Sequence, residues 1–195
     1  YYGDRRLVEE EYETAKRWVD FLASKAKDGT TISEGISDHE SLEPKPTELT
    51  STAFLAWNAR LLARLARTLS KRAEADGYAA LASRVEEAFR KKFLDPATGR
   101  VGPGTQTAQS FALALDLLPE AARETALEVL VKDVEAHQDH LTTGMFGTKF
   151  LLDVLSERGR GDLAVRIAGQ TTFPGWGHMI ERGATSLWEH WEYSD

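Results

Sequence analysis

The stretch "TELTSTAFLAWNARLLARLARTLSKRA", residues 47–73, decides the fold. Its leucines, alanines and arginines recur with helical period, and Thr47 is a good N-cap, so it predicts one long helix. On its C-terminal side, "GYAALASRVEEAFRKKFLD" (77–95) predicts a second helix across a short turn at Asp76-Gly77. A turn that short makes the two antiparallel neighbours. On its N-terminal side, Leu7, Val8, Tyr12, Ala15, Trp18, Val19, Phe21 and Leu22 are spaced as a helix with one buried stripe over about residues 4–27. "KDGT" (27–30) stops it with a glycine. Four more helical stretches follow: "TAQSFALALDLL" (107–118), "EAARETALEVLVKDVEAH" (120–137), "MFGTKFLLDVLSERG" (145–159) and "RGDLAVRIAGQ" (160–170). Only "TSLWEHWEY" (185–193) could be extended, and no alternating Val/Ile/Thr-rich run suggests a sheet. The reading is all-α: about seven helices in antiparallel pairs, with long loops alternating with short ones. That alternation is how an α/α toroid displays a site on one face. A plain helical bundle produces the same list, so architecture alone carries no function.

At 195 residues the chain can bury one sizeable core, in one domain or two small ones. The formal net charge of −7, with no basic patch, argues against a nucleic-acid partner. No apolar run approaches the roughly 20 residues of a membrane span. The absence of cysteine excludes disulfides, thiol catalysis and Cys-rich zinc sites. The start, "YYGDRRLVEEEYE" (1–13), has neither Met nor an apolar signal region, which fits a fragment or a processed product and says little about where the parent protein lives. The compartment is left open, with the cytoplasm preferred to secretion.

Polar and aromatic residues gather in four segments: "EGISDHESLEPKPTELT" (34–50), "GPGTQTAQ" (102–109), "HQDHLTTGMFGT" (137–148) and "FPGWGHMIERGATSLWEHW" (173–191). The last holds three of the five tryptophans and two of the five histidines. If these loops converge, they offer Asp38, His39, Gln106, Gln109, His140, Thr142, Thr143, Trp176, His178, Trp188, Glu189 and Trp191. Hydrogen-bonding groups mixed with flat rings suit a sugar. Each residue alone has a plainer reading: a Trp in the core, an Asp or Thr as a cap. Clustering in Gly-punctuated loops favours a ligand. Glu189 lies between Trp188 and Trp191, where aromatic walls would strip its hydration and favour the protonated form, a tuning that suits a general base. A metal reading of His137 and His140 lacks a third ligand in a recognisable place, and no metal is expected. No G-x-S-x-G elbow is present.

Four quoted segments carry a resemblance: "PTELTSTAFLAWNARLLARLA", "TQTAQSFALALDLLP", "HLTTGMFGTKFLLDVLSERGRGDLA" and "QTTFPGWGHMIERGATSLWEHW". In this order and spacing the chain resembles the inverting bacterial α-L-rhamnosidases of glycoside hydrolase family 78. The resemblance implies a partial (α/α)6 barrel, residues 1–195 forming the C-terminal part of the catalytic domain. It implies hydrolysis of terminal α-L-rhamnosyl groups from a rhamnose-containing glycoside or oligosaccharide, with no cofactor. The glutamate of the family's "GAT-WE-W" motif, its general base, maps onto Glu189. Asp38, His39, His140, Trp176, Trp188 and Trp191 are the implied sugar-binding residues. The family's general acid lies in a "DER-GW-GDA"-like motif that this chain lacks. An isolated chain with base but no acid should be inactive. A part-barrel should also expose apolar helix faces and self-associate. One departure concerns the "EGISDH" loop (34–39), where the family has "G-GDW": His39 replaces a tryptophan. Either another ring substitutes for it or the glycone differs. The rival readings are a silent carbohydrate-binding or interaction module and an α/α-toroid glycosidase with another glycone.

Overall fold

Helix α2, Thr47–Thr68, buries Ala53, Leu55, Ala56, Ala59, Leu62, Ala63 and Ala66 along one side. The alanines give high helix propensity and leave room for close neighbours. The computed structural model of the chain describes residues 4–192. Among these it is all-helical apart from two isolated β-bridges, Lys27 with Thr31 and Leu94 with Val101. The other helices are α1 (Arg6–Lys25), α3 (Arg72–Phe93), α4 (Gln106–Ala114), α5 (Glu120–Ala136), α6 (Met145–Glu157), α7 (Gly161–Ala168) and α8 (Trp176–Glu181).

Two departures from the sequence reading have local causes. The turn after α2 lies at residues 69–71, not at Asp76-Gly77. Ser70 adopts a left-handed φ of 61°, Lys71 N–H donates to the Ala66 carbonyl (2.9 Å) and Ser70 N–H to that of Arg67 (3.0 Å). This is a Schellman stop, which satisfies carbonyls that the helix end would otherwise orphan. Gly77 lies inside α3, where burial of Ala75, Leu81, Ala82, Val85 and Phe89 outweighs its poor propensity. The second departure is α8, a six-residue helix in the glycine-punctuated segment that the sequence reading left without one.

The chain divides into two compact units. One comprises the residues up to Gly35 with Glu48–Lys92. In it α1 buries Tyr12 and Val19, and the Tyr12 hydroxyl donates to Glu74 of α3 (3.2 Å). Burial, the Glu74 hydrogen bond and nearby carboxylates together push the Tyr12 phenol up to about 12. The single buried stripe expected of α1 is narrower than its apolar content. Leu7, Trp18 and Phe21 stand 70%, 51% and 50% exposed on another face, with Trp18 stacked on Phe21.

The other unit comprises Ile36–Thr47 and the chain from Phe93 onward. Its centre is α4, buried from Gln106 to Leu113 and packed against α5 and α6; α6 in turn packs on α7. Two buried glutamines of α4 staple loops. Gln109 accepts from Val101 N–H (2.6 Å) and donates to the carbonyls of Gly99 (3.1 Å) and Ala126 (2.9 Å). Gln106 donates to the His140 carbonyl (3.0 Å) and accepts from Thr142 N–H (3.0 Å).

Helix α6 has a glycine, Gly144, at its N-cap and therefore no side chain of its own to satisfy its first N–H groups. Asp38 supplies the missing acceptor. One carboxylate oxygen accepts from Gly144 N–H (2.8 Å) and the Thr107 hydroxyl (2.6 Å). The other accepts from Phe146 N–H (3.0 Å) and Gly147 N–H (2.9 Å). The carboxylate is fully buried and faces the positive end of the helix dipole. The approach needs glycine twice: a Cβ at Gly147 would strike Asp38, and one at Gly144 the His39 carbonyl.

Because nothing lies within 4 Å of a Cβ added at Gly77, Gly77→Ala should stabilise the protein. The expected gain is about 1 kcal/mol, read as a higher urea midpoint at unchanged m; a loss would mean that residues 76–77 form a turn. Asp38→Asn turns one acceptor oxygen into a donor facing two other donors. With hydrogen bonds to charged groups worth about 1.5–3 kcal/mol each, it should cost about 3 kcal/mol or more in the same measurement.

Candidate functional site

The tryptophan-rich segment is built by tight backbone approaches. Gly177 N–H donates to the Gln170 carbonyl (3.1 Å), so close that a Cβ at Gly177 would collide with it. Helix α8 then runs for a turn and a half and stops at Gly183, whose φ is 88°. Ala184 N–H donates to the Met179 carbonyl (2.9 Å), another Schellman closure. Of the possible extended stretch 185–193, residues 185–192 form bends and irregular chain, and Tyr193 lies outside the described residues. Residues 185–192 are located instead by side-chain anchors. The Trp191 indole N–H donates to the Thr143 carbonyl (2.7 Å), and its ring meets that of Trp176 edge-on, with centroids 5.8 Å apart. The His190 imidazole donates from Nδ1 to Glu40 (2.5 Å).

These anchors enclose a cavity of about 210 Å³. Its walls are Trp176, Met179, Leu187, Trp188 and Trp191, and the start of α6 contributes Gly144, Met145 and Thr148. Its polar lining is Glu40, Glu189 and His190. An apolar cavity with a few convergent polar groups is the usual form of a small-ligand site. Ser37 (φ 58°) and Glu40 (φ 63°) hold left-handed backbone on either side of Asp38-His39. Such strain in non-glycine residues persists only where surrounding contacts impose it. Here Met145 N–H donates to the His39 carbonyl (2.8 Å), Ser41 N–H to that of Asp38 (3.1 Å) and Leu42 N–H to that of Thr142 (2.9 Å). The loop thus turns Asp38 inward and brings Glu40 to the cavity.

The charges form a chain. His39 Nε2 lies 3.4 Å from Glu40 and 3.7 Å from Glu189, and Glu40 also holds His190. The His190 hydrogen bond holds the Glu40 carboxyl below its ordinary 4.5, and the same bond raises His190 above its ordinary 6.5. The signs set a window. The lowered carboxyl stabilises above about 4.5 and fades as pH falls through its native value. The raised imidazole stabilises below about 6.5 and fades as pH rises through its native value. The anchor is therefore strongest between these two pH values.

The structure gathers Trp176, Trp188, Glu189 and Trp191 at one cavity. Several other expectations are corrected. Asp38 cannot touch a ligand: it is fully buried and caps α6, as its plainer reading had it. Gln106 and Gln109 are likewise buried staples. His140 lies outside the cavity's lining, along a separate groove with Thr172 and Phe173, its Nε2 2.7 Å from the Thr172 hydroxyl. His178 packs edge-on against Phe173. The aromatic walls do not desolvate Glu189, whose side chain is 69% exposed; Trp191 is spent on the core at 8% exposure. His39 faces two carboxylates. His137 caps α5, and Gln138 and Asp139 then leave helical φ, so His137 and His140 do not share a helix face. Glu40 and His190 were not singled out as site residues. Nothing in the sequence links positions 150 residues apart, and only the fold makes them a pair.

Comparison with known proteins places this geometry. The chain matches, over residues 1–195, the bacterial α-L-rhamnosidase six-hairpin glycosidase domain. It is similar to an α-L-rhamnosidase of Streptomyces avermitilis (34% identity, 98% of this chain, 18% of the relative). It is also similar to one of Formosa agariphila (35% identity, 97% of this chain, 21% of the relative). The chain thus spans about a fifth of the length of these relatives. Among solved structures, the Streptomyces avermitilis enzyme complexed with L-rhamnose superposes with a TM-score of 0.91 at 34% identity, covering 98% of this chain and 18% of that one. The α-L-rhamnosidase from Dictyoglumus thermophilum gives 0.92 at 35% identity, covering all of this chain and 23% of that one. The all-α architecture fits an (α/α)6 toroid. This chain belongs to the bacterial α-L-rhamnosidase six-hairpin glycosidase domain family.

Proposed function

We propose that residues 1–195 are the C-terminal part of the catalytic domain of a longer, inverting α-L-rhamnosidase, with Glu189 as its general base. The observation that carries this reading is the placement of Glu189, an accessible carboxylate on a cavity walled by Trp176 and Trp188. An accessible carboxylate can reach both a sugar and the water that attacks it. In the proposed reaction water adds to the anomeric carbon and gives its proton to Glu189. The glycosidic C–O bond breaks on the opposite face, and the departing oxygen takes a proton from a general acid elsewhere in the parent enzyme. Inversion needs the two carboxyl groups roughly 6.5–9.5 Å apart, leaving room for the water. The rings of Trp176 and Trp188 would stack on the sugar's C–H faces. The exposed face of Leu7, Trp18 and Phe21 supports the part-barrel reading, because it is a surface that further helices would cover.

In the full-length enzyme, release of aryl alcohol from an aryl α-L-rhamnoside should be clear, and Glu189→Gln should lower kcat by roughly 10²–10⁴-fold while leaving circular dichroism unchanged. Near-normal turnover of that variant would remove Glu189 from the role. Trp176→Ala should raise KM for the same substrate, and an unchanged KM would make Trp176 a wall of the core only.

A further inference from the structure

The sequence offers His39 as a reduced sugar platform, standing where the family has a tryptophan. The geometry gives its imidazole another task. One atom, Nε2, lies 3.4 Å from Glu40 and 3.7 Å from Glu189. These are ion-pair distances, too long for strong hydrogen bonds. Glu189 itself sits on the irregular segment 185–192, where no regular hydrogen-bond ladder locates it. Its next neighbour, His190, is bonded to Glu40. A carboxylate that must take a proton from one water on one face of a sugar needs its position set from outside such a segment.

We infer that His39 is a positioning residue for Glu189, bridging Glu189 to Glu40 so that the 34–43 loop sets the orientation of the proposed base. This rests on the reading of Glu189 as general base. Glu40 is the anchor: its backbone is held left-handed beside the Asp38 cap, and its carboxylate faces both His39 and His190. The charged groups around His39 are Glu40, Glu189 and His190, with Lys45 acting on Glu40 from further along the same loop. His39 stands between the two carboxylates and can hold them apart at fixed positions.

The test uses the full-length enzyme and separate kcat and KM values for an aryl α-L-rhamnoside. His39→Phe should lower kcat by roughly 10–10²-fold with KM unchanged, the kind of cost a misplaced catalytic group carries. His39→Gln keeps a donor and should retain most of the turnover. Glu40→Gln weakens the anchor and should also lower kcat at unchanged KM. A rise in KM at constant kcat in His39→Phe would overturn the inference and make His39 a sugar platform; unchanged kinetics would also overturn it. If His39→Phe does not fold, Glu40→Gln decides, and an unchanged kcat overturns the inference. A silent wild-type enzyme, or an active Glu189→Gln, would instead remove the underlying reading of the base. An active wild type with a silent Glu189→Gln and unaltered His39→Phe would remove only the inference.

Discussion

The buried carboxylate of Asp38 at the start of α6 is the constraint on which the site depends. Gly144 cannot cap that helix, so its first N–H groups need an acceptor from elsewhere, and Asp38 comes from a loop more than 100 residues earlier. A buried charge is tolerable only when fully partnered, and here both oxygens are. Satisfying them brings two chain segments into contact, and backbone hydrogen bonds tie the 37–41 stretch to the start of α6. The residues on either side of Asp38 inherit their positions from that constraint. His39 is next to it, and Glu40 reaches the cavity because its φ is left-handed. A residue with no access to a ligand can thus govern those that have it.

The same logic extends to the aromatic wall. Segment 185–192 has no regular secondary structure to define it, yet Trp191 and His190 pin it through Thr143 and Glu40. Thr143 directly precedes the capped start of α6, and Glu40 follows the capping Asp38. Both pins therefore rest on the Asp38–α6 junction. Trp191 is buried, while Glu189, two residues before it, stands exposed. Trp191 serves as both anchor and wall, and Trp176 and Trp188 line the cavity beside it.

Much of this was legible in the amino-acid sequence because it depends on local periodicity and on residue types gathered in short windows. The helical period of residues 47–73 announced α2, and the Trp/Gly/His density of 173–191 announced the segment that walls the cavity. Local pattern failed where a competing local term or a remote partner won. Gly77 read as a turn, but the Schellman closure at Ser70 ended α2 earlier and packing carried α3 through the glycine. Asp38, Gln106 and Gln109 read as ligand-binding polar groups because polar loop residues normally face water. Whether such a group meets solvent or orphaned backbone donors depends on what the fold stacks against it.

The sequence by itself determined an all-α chain, the approximate limits of most of its helices and the family to which it belongs. These rest on side-chain period, on glycine stops and on a motif order that survives without coordinates. Tertiary structure alone decided which polar residues are caps and staples, which tryptophan is core, and that Glu40, His39, Glu189 and His190 form one chain of charges. The physical reason is range. Helix period and capping act over a few residues, whereas a buried carboxylate or an ion pair is defined by groups that the chain brings together from more than 100 residues away.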